Sequence, residues 1–192
     1  MPRDMRNPLD STAGALQQAQ ILAQAGDLAG AAQLCRAVVA REPSHFYALF
    51  MLGTMECALG QFDRAEKHLA RAIKVEPRST EALTSYGNIL LERKRHKEAV
   101  AVLSDAIRVQ PQNVNALLYR GLGYAELGQH EQALKDFERV LQHDPRSAFG
   151  LHNRANALMA LNRYSEARSS IEALLRVAPR YVPGFINHAL LL

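Results

Sequence analysis

The groups able to do chemistry in this chain of 192 residues are seven histidines, two cysteines and a scatter of carboxylates. Catalysis or metal binding needs such groups to converge, and convergence usually leaves recognisable short spacings. They are missing here. Cys35 and Cys57 form no CxxC pair and have no histidine at a metal-ligand interval. The sequence holds no GxxxxGK[ST] phosphate loop, no HExxH helix and no GxSxG elbow. The histidines fall at unrelated places, so neither a catalytic centre nor a metal or cofactor site is expected. The one dense basic run, "ERKRHKEA" (92–99), could meet an anion through Arg93, Lys94, Arg95 and Lys97. A single turn is too short to follow a phosphate backbone, and the run reads as a solvated connection.

Composition narrows the classes further. Hydrophobic residues make up 48% of the chain, aromatic ones only 6%, and there is no Trp, so a core would be built from Ala and Leu. The formal charge of +4 falls short of a clustered basic excess, and nucleic acid is not an expected partner. The start, "MPRDMRNPLDSTAG", has no apolar leader, and no run approaches a membrane span. Reduced thiols in a cytoplasmic protein are the expectation for the two cysteines.

What must position any functional side chain is a repeat. Pro43, Pro77, Pro111, Pro145 and Pro179 are each 34 residues apart. With proline at position 32, the repeats run 12–45, 46–79, 80–113, 114–147 and 148–181, followed by a partial sixth over 182–192. Residues 1–11 read as a disordered tail. Position 20 is Ala31, Ala65, Ala99, Ala133 and Ala167, and position 8 is always Gly or Ala.

Each repeat reads as two helices. The first, as in "YALFMLGTMECAL" (47–59), ends where position 15 offers Gly26, Gly60, Gly128 or Asn162, with Lys94 the exception. The second, as in "DRAEKHLARAIKVE" (63–76), is apolar at positions 20, 24, 27 and 28 and is stopped by the proline. Small residues at 8 and 20 would let the two helices cross closely. Cys35 at position 24 is then a small core hydrophobe, and Cys57 at position 12 lies nearer the open face. His96 and His130 share position 17 and read as helix-packing residues.

This pattern of 34 residues, with Gly or Ala at 8, Ala at 20 and Pro at 32, resembles the tetratricopeptide repeat (TPR) family over residues 12–192. The resemblance implies an all-α fold: antiparallel helix pairs stacked into a right-handed superhelical solenoid with a concave groove lined by the first helices. Two departures stand out. Position 7 is polar in Gln18, Arg120, Arg154 and His188, and position 11 holds Glu56; looser packing is expected there.

In the resemblance, positions 2, 5, 6, 9, 12 and 13 face the groove. Here they include Tyr47, Phe50 and Met51, then Glu81, Asn88 and Glu92. The fourth repeat supplies Asn115, Leu118, Tyr119, Leu122 and Glu126, and the fifth Phe149, His152, Asn153, Asn156 and Met159. The charged residues among these are three carboxylates, with no Lys or Arg. TPR domains that grip the acidic tails of Hsp70 and Hsp90 need Lys at position 5, which here is Leu16, Phe50, Thr84, Leu118, His152 and Ile186. No such clamp can form. Asn153 and Asn156 of "LHNRANAL" are similar to the asparagine ladder of O-linked N-acetylglucosamine transferases, which holds peptide backbone, but earlier repeats continue it only in part.

The expected function is a non-catalytic scaffold binding a neutral or basic, partly apolar peptide or protein segment in the groove. Two alternatives are the TPR region of a larger glycosyltransferase-like enzyme, and a self-assembly module. The second follows from "VPGFINHALLL" (182–192), an apolar first helix without its partner, which implies either a longer natural chain or homo-oligomeric contacts.

Overall fold

The structure is a computed structural model and describes residues 11–180. The expectations for the N-terminal tail and for the partial sixth repeat lie outside those residues, except for Ser11. The described residues form ten α-helices and no strand: α1 (Thr12–Gln24), α2 (Leu28–Arg41), α3 (Phe46–Ala58), α4 (Phe62–Val75), α5 (Thr80–Glu92), α6 (His96–Val109), α7 (Val114–Glu126), α8 (His130–His143), α9 (Ala148–Ala160) and α10 (Tyr164–Val177). They belong to two compact units, residues 1–89 and 90–192, with the boundary inside α5. In the first unit α1 packs on α2, α2 on α3 and α3 on α4; in the second, the same order runs from α6 to α10.

The helix ends follow from local chemistry. Side chains of Ser11, Asp27, His45, Ser79, Asn113 and Ser147 each accept a hydrogen bond from the backbone N–H three residues on, capping α1, α2, α3, α5, α7 and α9. Each even-numbered helix stops two residues before a proline. The residue between is forced to extended backbone, as at Glu42 (φ −126°, ψ 80°) and Gln110 (φ −130°, ψ 92°).

The first helices of the repeats end on a left-handed residue. Gly26, Gly60 and Gly128 take φ of 87°, 71° and 71°, while Lys94 and Asn162 are held at 59°. Asparagine tolerates this conformation; lysine carries the full Cβ clash, about 1–2 kcal/mol. Part of that would be offset by the greater unfolded-state freedom of glycine. Lys94→Gly is therefore expected to stabilise the protein by about 0.5–1 kcal/mol, read as a higher urea midpoint. A midpoint that falls would show that the lysine side chain compensates its own strain.

Packing uses the small positions as expected. All five position-20 alanines are fully buried, and so are the residues at position 24: Cys35, Leu69, Leu103, Phe137 and Ile171. Positions 8 and 24 face each other. A Cβ placed on Gly53 would lie 2.7 Å from Cγ of Leu69, and one on Gly121 would lie 2.6 Å from Cε1 of Phe137.

The looser packing expected at positions 7 and 11 is not what the structure shows. Each of three polar residues there is the hub of a bonded node that ties one first helix to the two second helices beside it. Arg120 donates to both carboxylate oxygens of Asp136 at 2.7 Å and to Oγ of Ser104 at 3.1 Å, joining α7 to α8 and α6. Arg154 donates to Ser170 at 2.6 Å and to Glu138 at 3.4 Å, joining α9 to α10 and α8. In the first unit the polarity is reversed. Glu56, with none of its side chain exposed, lies 2.6 Å from Nδ1 of His68 and 3.2 Å from Nη2 of Arg36, joining α3 to α4 and α2. In all three nodes the partners occupy position 23 of the same repeat and position 25 of the repeat before. Buried polar groups are tolerable because they are satisfied.

A further tie recurs at position 26. Arg71 and Arg139 reach back 28 residues to the carbonyls of Pro43 and Pro111, at 2.7 and 2.6 Å. The proline that ends one repeat thus also offers an acceptor to the next.

Candidate functional site

The expected binding residues divide between the two units. In the first, Tyr47 on α3 is 42% exposed, whereas Met51 is only 7% exposed and belongs to the core, so it is not presented for binding. Phe50 is half-buried. Its ring lies parallel to that of Phe46, with centroids 6.0 Å apart. Asn88 is half-buried, and Cys57 packs with Tyr86 against Ala65, Leu69 and Ile89. Glu81 is exposed at the start of α5. A hydrogen bond from its own backbone N–H, assisted by Ser79, holds its carboxyl below the usual range, so it is anionic at neutral pH.

The second unit brings more of the expected residues together, because α7 and α9 are in direct contact. Leu118, Leu122 and Met159 are half-buried and pack on the cluster of Leu134, Phe137 and Leu158, giving an apolar floor. Tyr119 is half-buried, Asn115 and Glu126 are exposed, and Phe149 stands 64% exposed, more than any other large apolar side chain of the described residues. Glu92 is exposed near the end of α5.

Local hydrogen bonds orient the amides of α9. Asn153 donates to the carbonyl of Phe149 at 2.9 Å, one turn back. Nδ2 of Asn156 lies 3.1 Å from Nε2 of His152. Burial pushes the His152 ring below its ordinary pKa, which keeps it neutral and suits it to accept that amide proton. Two asparagines and a neutral imidazole beside an exposed Phe ring make a surface able to exchange hydrogen bonds with an amide backbone. Nothing in it resembles a nucleophile with its base.

The other candidates settle into packing or solvent. Cys35 is buried, and burial pushes its thiol up to about 11, so it stays protonated and inert at neutral pH. In the basic run, Arg95 forks onto both oxygens of Glu98 at 2.7 Å, and Lys94 and Lys97 are exposed, as a solvated turn requires. No group of three His, Cys, Asp or Glu side chains suited to a metal ion forms among the described residues. Nor is any of their helices long and apolar enough to cross a membrane.

Sequence reasoning missed Phe46. It lines a cavity of about 440 Å³ with Glu76, Pro77, Arg78, Ser79 and Glu81. A signal was available, since position 1 is aromatic only in this repeat; the others carry Thr12, Thr80, Val114 and Ala148.

Comparison with known proteins agrees with this architecture. Residues 33–149 match the family of the cytochrome c-type biogenesis protein H TPR domain, and residues 124–183 match the tetratricopeptide repeat. Among solved structures, the chain is similar to MamA, with a TM-score of 0.78 at 20% identity over 89% of this chain and 93% of that one. It is also similar to YrrB, described as a TPR protein with an unusual peptide-binding site, with a TM-score of 0.79 at 18% identity over 97% and 94%. At such identities the likeness shows the fold alone. Among curated proteins, a rat (Rattus norvegicus) FK506-binding protein-like chain is 36% identical over 64 residues, 33% of this chain and 18% of that protein. The chain therefore spans about a fifth of the length of the curated relatives it matches. TPR families serve in general as non-catalytic scaffolds for protein partners. By its repeat, its helix pairs and its match over residues 33–149, the chain belongs to the tetratricopeptide repeat family, in the cytochrome c-type biogenesis protein H branch.

Proposed function

We propose that the protein is a non-catalytic scaffold that holds an extended peptide segment, neutral or basic and partly apolar, against the first-helix faces of its repeats. The observation that carries this reading is the α7–α9 surface, where exposed Phe149 stands beside the amides of Asn153 and Asn156 above an apolar floor. The description of YrrB as peptide-binding is in keeping with it. Carboxylates without Lys or Arg at the face positions disfavour acidic ligands through like-charge repulsion.

The test is calorimetry of the full chain with 12-residue peptides selected from a random library. Replacing Tyr119 and Phe149 together by Ala is expected to weaken binding at least tenfold, about 1.4 kcal/mol or more, since aromatic anchors dominate such interfaces. Unchanged affinity, or a preference for acidic peptides, would overturn the reading.

A second reading is favoured by the family match: a scaffold in cytochrome c biogenesis, set in the periplasm instead of the cytoplasm expected from the sequence. Deleting the gene would then lower haem-stained c-type cytochromes, and fractionation would place the protein outside the inner membrane.

A further inference from the structure

The cavity lined by Phe46 in the first unit has a composition that selects its ligand. It is a cleft open to solvent, lined by Phe46 and Pro77 and by the ionisable or polar residues Glu76, Arg78, Ser79 and Glu81. Two negative charges against one positive leave it with an excess of one carboxylate. It lies where α4 ends, and the terminal carbonyls of a helix also favour a cation. The opposing positive end of α5 is blunted, because Ser79 accepts from the N–H of Ala82 and Glu81 sits in the first turn.

We propose that this cavity receives a basic side chain, arginine in particular, from the segment that the chain binds. The proposal rests on the peptide-binding reading above and deepens it by naming one chemical feature of the partner.

Three observations favour that occupant over others. The Phe46 ring, held parallel to Phe50, is a fixed apolar wall for the stem of a long side chain and for the flat face of a guanidinium. An ionised Glu81, whose Oε2 already accepts from Ser79 at 3.2 Å, keeps further lone pairs for a donor. A metal ion would find only two carboxylates here, since no three ligating side chains converge among the described residues. The combination belongs to this repeat junction alone. The position of Glu76 is filled elsewhere by Glu42, Gln110 and Asp144, and the position of Glu81 by Tyr47, Asn115 and Phe149. None of these places two carboxylates beside an aromatic at position 1.

The test is an NMR titration of the full, isotope-labelled chain with N-acetyl-arginine methylamide and with its neutral isostere, N-acetyl-citrulline methylamide. Arginine is expected to shift the amide signals of Phe46 and of residues 76–81, and citrulline at equal concentration is not. Glu76→Gln with Glu81→Gln should weaken the arginine response at least fivefold while leaving the rest of the spectrum in place. Equal responses to both probes, no response to arginine, or a response reproduced only by calcium chloride would each overturn the proposal.

The peptide-binding reading can fail separately. Library peptides that depend on Tyr119 and Phe149, yet lack basic residues and ignore the glutamine substitutions, would remove this proposal and leave that reading intact. An arginine response in a chain that binds no peptide would overturn the peptide-binding reading and, with it, the claim that the arginine comes from a bound segment.

Discussion

Asp136→Ala is expected to destabilise the second unit by about 3 kcal/mol, although the residue is polar and adds no apolar side chain to the core. Asp136 is 3% exposed and Arg120 17% exposed, so truncating the carboxylate strands a guanidinium in a low-dielectric site. Breaking one partner of a buried pair usually costs about 3–5 kcal/mol. The lower end applies because Ser104 remains as an acceptor and the Tyr124 ring lies 5.5 Å from the guanidinium carbon. The pair already lifts the guanidinium pKa above its ordinary value, chiefly through the hydrogen bonds to Asp136. Replacing both residues by apolar ones of similar volume, Arg120→Met with Asp136→Leu, should recover most of the loss, because no charge is then left buried. Urea denaturation followed by circular dichroism checks both variants. A single variant as stable as the parent would show that water reaches the arginine freely.

Gly121→Leu should cost about 3 kcal/mol for the opposite reason, an excess of atoms. Even the first carbon of a side chain there would lie 2.6 Å from the Phe137 ring, itself fully buried. Overpacking of this kind costs about 1–3 kcal/mol and more when the neighbour is rigid. The fifth repeat suggests the remedy, since there the same two positions are Ala155 and Ile171, both buried. The double variant Gly121→Ala with Phe137→Ile copies that pair and is expected to fall within about 1 kcal/mol of the parent, because its total volume is nearly conserved. Thermal unfolding of the two variants side by side gives the answer. A double variant no better than Gly121→Leu would mean that the two positions do not share one space.

The sequence made the helix pairs legible because their signals are short-range and repeated. Proline stops, the Gly or Asn at position 15 and the position-20 alanines each act within a turn or two, and the helix ends fall within a residue of where those signals put them. The left-handed Asn162 was readable for the same reason, because position 15 is defined by its neighbours in the other repeats; Lys94, the exception by residue type, takes the same conformation all the same. The nodes were not readable in that way. Arg120 and Asp136 are sixteen residues apart, and Glu56 finds one partner twelve residues ahead and another twenty residues back. Seen singly, Arg120 and Glu56 look like polar faults at apolar positions; only the stacking of second helices on both sides supplies their counter-groups. Met51 was misplaced by the opposite error. Spacing puts it on the same face as Tyr47 and Phe50, but the neighbouring core takes it up.

The reversed polarity of the nodes limits how freely these repeats could be exchanged. A repeat transplanted as a cassette brings its hub and its position-23 partner, but meets whatever its new predecessor carries at position 25. Behind the first repeat, the fourth would set Arg120 against Arg36, and behind the fourth, the second would set Glu56 against Glu138. Both junctions would oppose like charges where the native order joins opposite ones or a hydroxyl. The chain is periodic in its backbone and its alanines, yet directional in its charges. A designer who lengthened it by duplicating repeats would need to copy the second helix of the preceding repeat along with each hub.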